Sequence, residues 1–269
     1  NCGDFIAETI RSVLAQTYTL WEMIIVDDSS TDATIKRVEP FLKDPRIRFI
    51  RNAGNKGAAY TRNRALREAK GRWIAFLDAD DLWKPEKLER QLQFMQQNAC
   101  SFSYTQYTET NQFSHDLGVL VSGPSRITKR GMYRYCWPGC LTVMYDAERI
   151  GLVQIADIRK NNDYAMWLKV AEKADCHLLP KPLAVYRRRE GSISNHTYLS
   201  LVRWHYLLFR QALSGRKKAL RRRCSLISVP RVPLPCRNTN RGQGSAGEKS
   251  SGKKAAYWKF SNVQICCFS

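Results

Sequence analysis

The run WIAFLDADDLW ends in three carboxylates within four positions, Asp78, Asp80 and Asp81. In an extended chain, side chains two apart point the same way, so Asp78 and Asp80 would face each other across roughly 7 Å. At an effective dielectric of about 20 they would repel by roughly 2–3 kcal/mol, so a positive partner belongs there. A second acidic pair, Asp27 and Asp28, closes WEMIIVDD, and Ser30 or Thr31 behind it can cap the next helix. Asp163 stands near the start of the helical pattern NNDYAMWLKV, which Asn161 or Asn162 can cap. There the macrodipole favours an ionised carboxylate, which by itself is the signature of an ordinary first-turn acid. Cys136 and Cys140 in CWPGC are half a metal site at most, or partly buried thiols. His177 and His196 are given no role.

These side chains need a frame, and the pattern around them supplies one. FIAETIRSVLAQT is helical and WEMIIVDD is a short buried strand. TDATIKRVEPFL is helical until Pro40, and RIRFIRN alternates like a strand. KGAAYTRNRALREAKG is helical with Gly71 as C-cap, and RWIAFLDAD is another strand. Such alternation predicts an α/β fold with a mainly parallel sheet covered on both faces, and in such sheets ligands gather at the carboxyl ends of the strands. Both acidic clusters fall at strand ends. Asp81 is expected to cap the amphipathic helix of KPEKLERQLQFMQQN, with Pro85 in its first turn. CSFSYTQYTE and CLTVMYD read as strands around a loop at 121–125. CHLLP and LAVYRRR read as two more, and YLSLVRWHYLLFRQAL as a last amphipathic helix.

The 269 residues carry 44 Lys and Arg against 24 Asp and Glu, a net charge of +20. By itself that suggests an anionic partner. Yet residues 216–269 hold 13 basic side chains and one acid, so +12 lies there and only +8 over residues 1–215. The 216–269 stretch, rich in Pro, Gly and Ser without periodicity, is expected to be a disordered basic tail that adds nothing to catalysis. Nine cysteines without paired CxxC spacing argue against a full disulfide framework and fit a reducing cytoplasm. No apolar run approaches the ~20 residues that cross a bilayer.

Six segments in order, NCGDFIAETIRSVLAQTY, IIVDDSSTDAT, NKGAAYTRNRAL, WIAFLDADDLWKPEKLE, NNDYAMWLKV and YRRREGSIS, resemble the inverting family 2 glycosyltransferases, whose fold is the Rossmann-like GT-A. The resemblance covers residues 1 to about 195 and implies a GT-A domain over 1–215. Asn1 matches the Asn that ends the family's first strand, so the resemblance also implies that this strand is missing. It gives Asp28 the nucleotide's base, usually uracil, and leaves Asp27 structural. Lys56 and Arg62 are placed to pair with a donor phosphate, or to lie on a solvated helical face. Asp80 is implied to bind Mn2+ or Mg2+ bridging the donor diphosphate, with Asp78 at the ribose or the metal's water shell. Asp163 is implied to be the base that takes the acceptor hydroxyl's proton.

Two positions depart from the pattern. Asn162 stands where the family's Glu-Asp motif has Glu, and Arg189 stands where relatives often carry His. Arg cannot ligate a cation, but it binds phosphate oxygens bidentately, so one fewer protein ligand to the metal is expected. Trp137 either stacks on an acceptor sugar or packs in the core.

The reading is a metal-dependent transferase taking a sugar from a nucleoside diphosphate donor, expected to be UDP-linked, to a hydroxyl of a glycan or lipid-linked acceptor in surface-polysaccharide synthesis. It is expected in the cytoplasm, with peripheral contact at an anionic membrane face and no nucleic-acid partner. A non-catalytic nucleotide-binding relic and a phosphorylation-switched receiver are the alternatives, the latter leaving Asp163 and YRRREGSIS unexplained.

Overall fold

The computed structural model describes residues 1–155 and 162–189, together with the backbone of Val263–Phe268. The helix α1 (Ile6–Leu14) buries Ile6, Ile10 and Val13 at helical spacing. It is followed by β1 (Trp21–Asp27), α2 (Thr34–Val38), β2 (Ile47–Arg51), α3 (Ala58–Glu68) and β3 (Trp73–Asp78). Pro40 ends the helical pattern of α2 as expected, leaving a 3-10 turn at Glu39–Lys43. Next come β4 (Leu82–Trp83), α4 (Lys87–Gln97), β5 (Phe102–Thr110), β6 (Asp116–Val121), β7 (Arg126–Ile127) and α5 (Lys129–Arg134). The remaining elements are β8 (Met144–Asp146), α6 (Ala147–Ile150), α7 (Asn162–Val170), β9 (Cys176–Arg187) and β10 (Val263–Phe268). The strands form one sheet in the order β2-β1-β10-β3-β8-β5-β9-β4, with β6 on β5 and β7 on β9.

Successive residues of the central strands serve opposite faces. Met23 and Ile25 of β1, with Trp73, Ala75 and Leu77 of β3, join the core under α1 and α4. Ile24, Val26, Ile74 and Phe76 join the core under α3 and α7, where Phe76 meets the Trp167 ring edge-on at 5.4 Å. Covering on both faces explains why these strands read as unbroken apolar runs. The α/β architecture with helices on both faces is therefore as expected.

The pairing is mixed rather than mainly parallel. Parallel ladders join β1 to β2 and β5 to β9, and the other ladders are antiparallel. CHLLP and LAVYRRR form one strand, β9, because the register slips between Leu179 and Pro182 opposite Thr105 and Gln106. A bulge of this kind is where a sheet tolerates a proline such as Pro180. Gly71 is not the cap of α3, whose C-cap is Ala69.

The largest departure concerns Val263–Phe268, inside the stretch expected to be disordered. It lies antiparallel to both β1 and β3 and fills the place between them. Left open, that place would strand two rows of backbone N–H and C=O groups inside the sheet, and the apolar run VQICCF can satisfy them. Residues 216–262 and the helix expected at YLSLVRWHYLLFRQAL lie outside the described residues. Among the described residues no helix is long and apolar enough to cross a membrane.

Asp27 pairs with Val263 and Asp78 with the next residue, Gln264, so the carboxyl ends of β1 and β3 are level. Two strand spacings separate them, about 10 Å.

Candidate active site

At the end of β1, the buried Asp27 carboxylate accepts from the Ser30 amide at 3.1 Å and pairs with Arg51 at 3.5 Å. This shapes the turn in which Ser29 adopts a φ of 63°. Asp28 is also buried. Its Oδ1 accepts from Asn52 Nδ2 and the Lys56 amide, both at 2.8 Å, and its Oδ2 from the Gly57 amide at 2.7 Å. Gly57 caps α3 at a φ of 87°, a conformation that L side chains rarely adopt. Asp28 thus fixes the start of α3, and three of the roughly four acceptor positions of its carboxylate are used. The Lys56 side chain is exposed at the same end of the sheet.

Asp78, Asp80 and Asp81 occupy a tight turn at the end of β3, closed by the Asp81 amide donating to the Asp78 carbonyl at 3.0 Å. The Thr9 hydroxyl of α1 lies 3.0 Å from the Ala79 carbonyl and 2.9 Å from that of Asp81, donating to one at a time. Each carboxylate has a separate partner. Asp78 Oδ1 pairs with Arg62 Nη2 at 2.8 Å, and Asp80 Oδ2 with Arg189 Nε at 2.6 Å. Asp81 Oδ1 accepts from the Arg187 amide of β9 at 3.0 Å. Asp81 therefore does not cap α4, whose N-cap is Glu86, and Pro85 precedes that helix rather than entering its first turn. The cause is packing: β9 brings an unpaired strand amide to a buried carboxylate that has no route to the helix.

Burial, then the neighbouring Asp80 and Asp78, push the Asp81 carboxyl well above its usual range. Asp80 is also raised, by burial first and by Asp78, against the pull of Arg189. Among the described residues no group of three His, Cys, Asp or Glu side chains could enclose a metal alone. Asp80 and Asp78 nevertheless offer hard carboxylate oxygens, the donor type that Mg2+ takes beside a diphosphate, each paired here with an arginine.

Arg62 is where the sequence misled most. It is neither solvated nor aimed at open solvent: it is 6% exposed, and besides Asp78 it donates through Nη1 to Asn162 Oδ1. Burial would lower its pKa, but Cys140, Asp78 and Asp163 around it turn the direction upward, so the guanidinium stays charged. The signal was available, since Ala59, Ala65 and Leu66 are buried at helical spacing around it. Through this bridge the turn of β3 and the first turn of α7 are held together.

Asn162 is the first residue of α7 rather than its cap, and Asn161 lies outside the described residues. Asp163 follows in the first turn, its Oδ1 accepting from the Tyr164 amide at 2.8 Å. It lines a cavity of about 270 Å³ with Tyr107, Glu109, Tyr135, Trp137 and Pro138 among its walls. Trp137 meets Tyr135 edge-on at 4.7 Å, and it both packs against the core and lines the cavity. Glu109 pairs with Arg188 at 2.5 Å. Cys136, on the same wall, is pushed well up by burial and by Asp163 nearby, and neither Cys136 nor Cys140 is in a disulfide. A wider cavity of about 550 Å³ beside Asp4, Glu8, Arg11 and Arg37 holds none of the residues singled out in the sequence.

Arg187 and Glu8 were not anticipated. Arg187 is buried, donates through Nε to the Asp80 carbonyl at 2.9 Å and pairs with Glu8 of α1 at 2.5 Å, which pins the carboxylate turn from behind.

The family described as "Glycosyl transferase family 2" matches residues 1–141. The chain is 42% identical over 200 residues to a Bacillus subtilis (strain 168) glycosyltransferase named TuaG for teichuronic acid biosynthesis, covering 74% of this chain and 79% of that one. It is 39% identical over 207 residues to the Escherichia coli UDP-Glc:alpha-D-GlcNAc-diphosphoundecaprenol beta-1,3-glucosyltransferase WfaP, covering 76% and 80%. The crystal structure of S. aureus TarS 1-349 in complex with UDP-GlcNAc superposes with a TM-score of 0.64 at 21% identity. That match covers 78% of this chain and 62% of TarS 1-349, a likeness of fold.

Proposed function

The chain belongs to glycosyl transferase family 2, and from that premise we propose an inverting transfer of one sugar from a UDP-sugar to a hydroxyl of a lipid-linked or glycan acceptor, in the synthesis of a surface polysaccharide. The observation that carries this is the Arg62 bridge, which ties the carboxylate turn to the helix bearing Asp163. The turn faces the donor's phosphates, and Asp163 faces a cavity wide enough for about one sugar ring. The name of WfaP favours a lipid diphosphate acceptor and that of TuaG a polysaccharide product, and with such an acceptor the enzyme would work against the inner membrane face.

In this reading the fourth acceptor position of Asp28, on Oδ2, takes the imide N–H of uracil, and the exposed Lys56 ammonium meets the phosphates as a point charge. Asp78 contacts the ribose. Asp80 would hold Mg2+ or Mn2+, which would supply positive charge against the negative charge building on the departing diphosphate. The acceptor hydroxyl gives its proton to Asp163 as its oxygen bonds to the anomeric carbon, and the bond from that carbon to the diphosphate breaks on the opposite face. Asn162 serves as the anchor to Arg62. Membership of the family removes the receiver alternative.

The test is release of UDP from a panel of UDP-sugars with a lipid diphosphate sugar acceptor, with Mn2+ and with chelator. Metal-dependent release that needs the acceptor is the expected result. Nucleotide binding without turnover under every donor and metal would replace the proposal with a non-catalytic relic.

A further inference from the structure

The cation beside Asp80 in this structure is a guanidinium. Arg189 Nε lies 2.6 Å from Asp80 Oδ2, the carboxylate assigned above to the metal, with side chains 20% and 14% exposed. The pair is sheltered enough to outweigh a surface ion pair. It is also the easier of two arginines to release. Among the described residues, Arg187 is held by the Asp80 carbonyl, Glu8, Ser114 and the Phe5 ring, whereas Arg189 has Asp80 and the face of the same ring, its Cζ 5.6 Å from the ring centre. Asp78 already engages Arg62, and the buried Asp81 faces the Arg187 amide. A dication approaching the turn therefore meets Asp80 with its charge already matched and a guanidinium in its path.

We propose that Arg189 is an internal counter-cation that competes with the divalent metal for Asp80, so that metal binds tightly only when a nucleoside diphosphate arrives to take the guanidinium over. The idea rests on the assignment of the metal to Asp80. Its physics is exchange of partners: the metal displaces Arg189 from a carboxylate, and a planar guanidinium freed in this way is suited to bidentate contact with phosphate oxygens. Neither exchange is complete without the other. Metal and diphosphate affinities are then linked, each raising the other by the same factor. An arginine in place of a ligating side chain thus has a positive role: it keeps the site from holding a cation without a donor.

The test is binding of Mn2+ alone to the full chain, followed by the loss of the electron paramagnetic resonance signal of free aqueous Mn2+. It is repeated with saturating UDP after correction for chelation by free UDP. Arg189→Ala, with Arg189→Gln as a second variant that keeps more of the packing on Phe5, should bind Mn2+ alone about tenfold tighter than the wild type, roughly the worth of one sheltered ion pair. UDP should tighten Mn2+ binding several-fold more in the wild type than in either variant. Asp80→Asn should lose Mn2+ binding. Equal Mn2+ affinity in the wild type and both Arg189 variants, with binding lost in Asp80→Asn, would overturn the competition and leave the metal assignment standing. Retention of Mn2+ by Asp80→Asn would overturn both.

Discussion

Replacing Arg62 by Met keeps the length and apolar stem of the side chain and removes the guanidinium that joins Asp78 to Asn162. The Arg62 side chain is 7% exposed and that of Asp78 28%. Breaking a fully buried ion pair from one side costs about 3–5 kcal/mol, and the access of Asp78 to water brings the expectation down to about 2–3 kcal/mol. At about 2–4 °C per kcal/mol for a domain of this size, the melting temperature should fall by roughly 5–10 °C. Thermal unfolding followed by circular dichroism measures it, and adding Asp78→Asn closes a double-mutant cycle. Because the second change removes the carboxylate that lost its partner, the double variant should recover about 1–2 kcal/mol relative to additivity. A drop of less than about 2 °C, or strict additivity of the two changes, would refute the claim that this bridge is a buried tie between the β3 turn and α7.

Other consequences are open to direct measurement. Asp163→Asn should lower turnover by about 10²–10⁴-fold and leave UDP affinity within about twofold; a parallel loss of UDP binding would remove Asp163 from the role of base. Asp32 accepts from the Gly3 and Thr34 amides, and although burial works against it, the Thr34 hydroxyl and these amides hold its carboxyl below the usual range. A depressed carboxylate stabilises the fold above its unfolded value of about 4, and that stability is lost as pH falls through the lower folded value, so Asp32→Asn should melt with a shallower dependence below about pH 4 than the wild type. Burial chiefly pushes the Cys2 thiol up to about 12. Its peptide should stay unlabelled by iodoacetamide at about pH 8 until denaturant is added, and prompt labelling in the native protein would contradict the burial. Truncation before Val263, expected from the sequence to be harmless, should instead lower the yield of folded protein and its melting temperature, because it takes away the strand between β1 and β3.

What could be read from the sequence were features that announce themselves locally. Met23 and Ile25 alternate with Ile24 and Val26 in a strand that is apolar on both faces, and Ile6, Ile10 and Val13 repeat as a helix must, so α1, β1 and β3 fell where expected. Asp28, Asp78, Asp80 and Asp163 were singled out, and the structure gathers Asp78, Asp80 and the neighbour of Asp163 around Arg62 and Arg189. The tie to α7 and the pin behind the carboxylate turn were hidden because their partners are distant in sequence. Arg62 reaches a residue 100 positions away and Arg187 one 179 positions away, and no local spacing encodes such pairs. Asp81 was misread for the same reason: the rule for helix caps is local, and a strand amide 106 positions on took the carboxylate first. Val263–Phe268 was missed because five apolar residues and a glutamine amid a basic, Pro- and Gly-rich stretch carry no sign of the two strands that receive them.

The position of β10 bears on how the protein reaches its native state. A strand from far along the sequence closes the middle of the sheet, so completion waits on a long-range encounter with a large entropy cost and a slow rate. Until then β1 and β3 present facing edges that can accept a strand from any copy at hand. At high concentration, self-closure competes with exchange between neighbouring molecules, and the product of the latter is an entangled oligomer rather than a misfolded monomer.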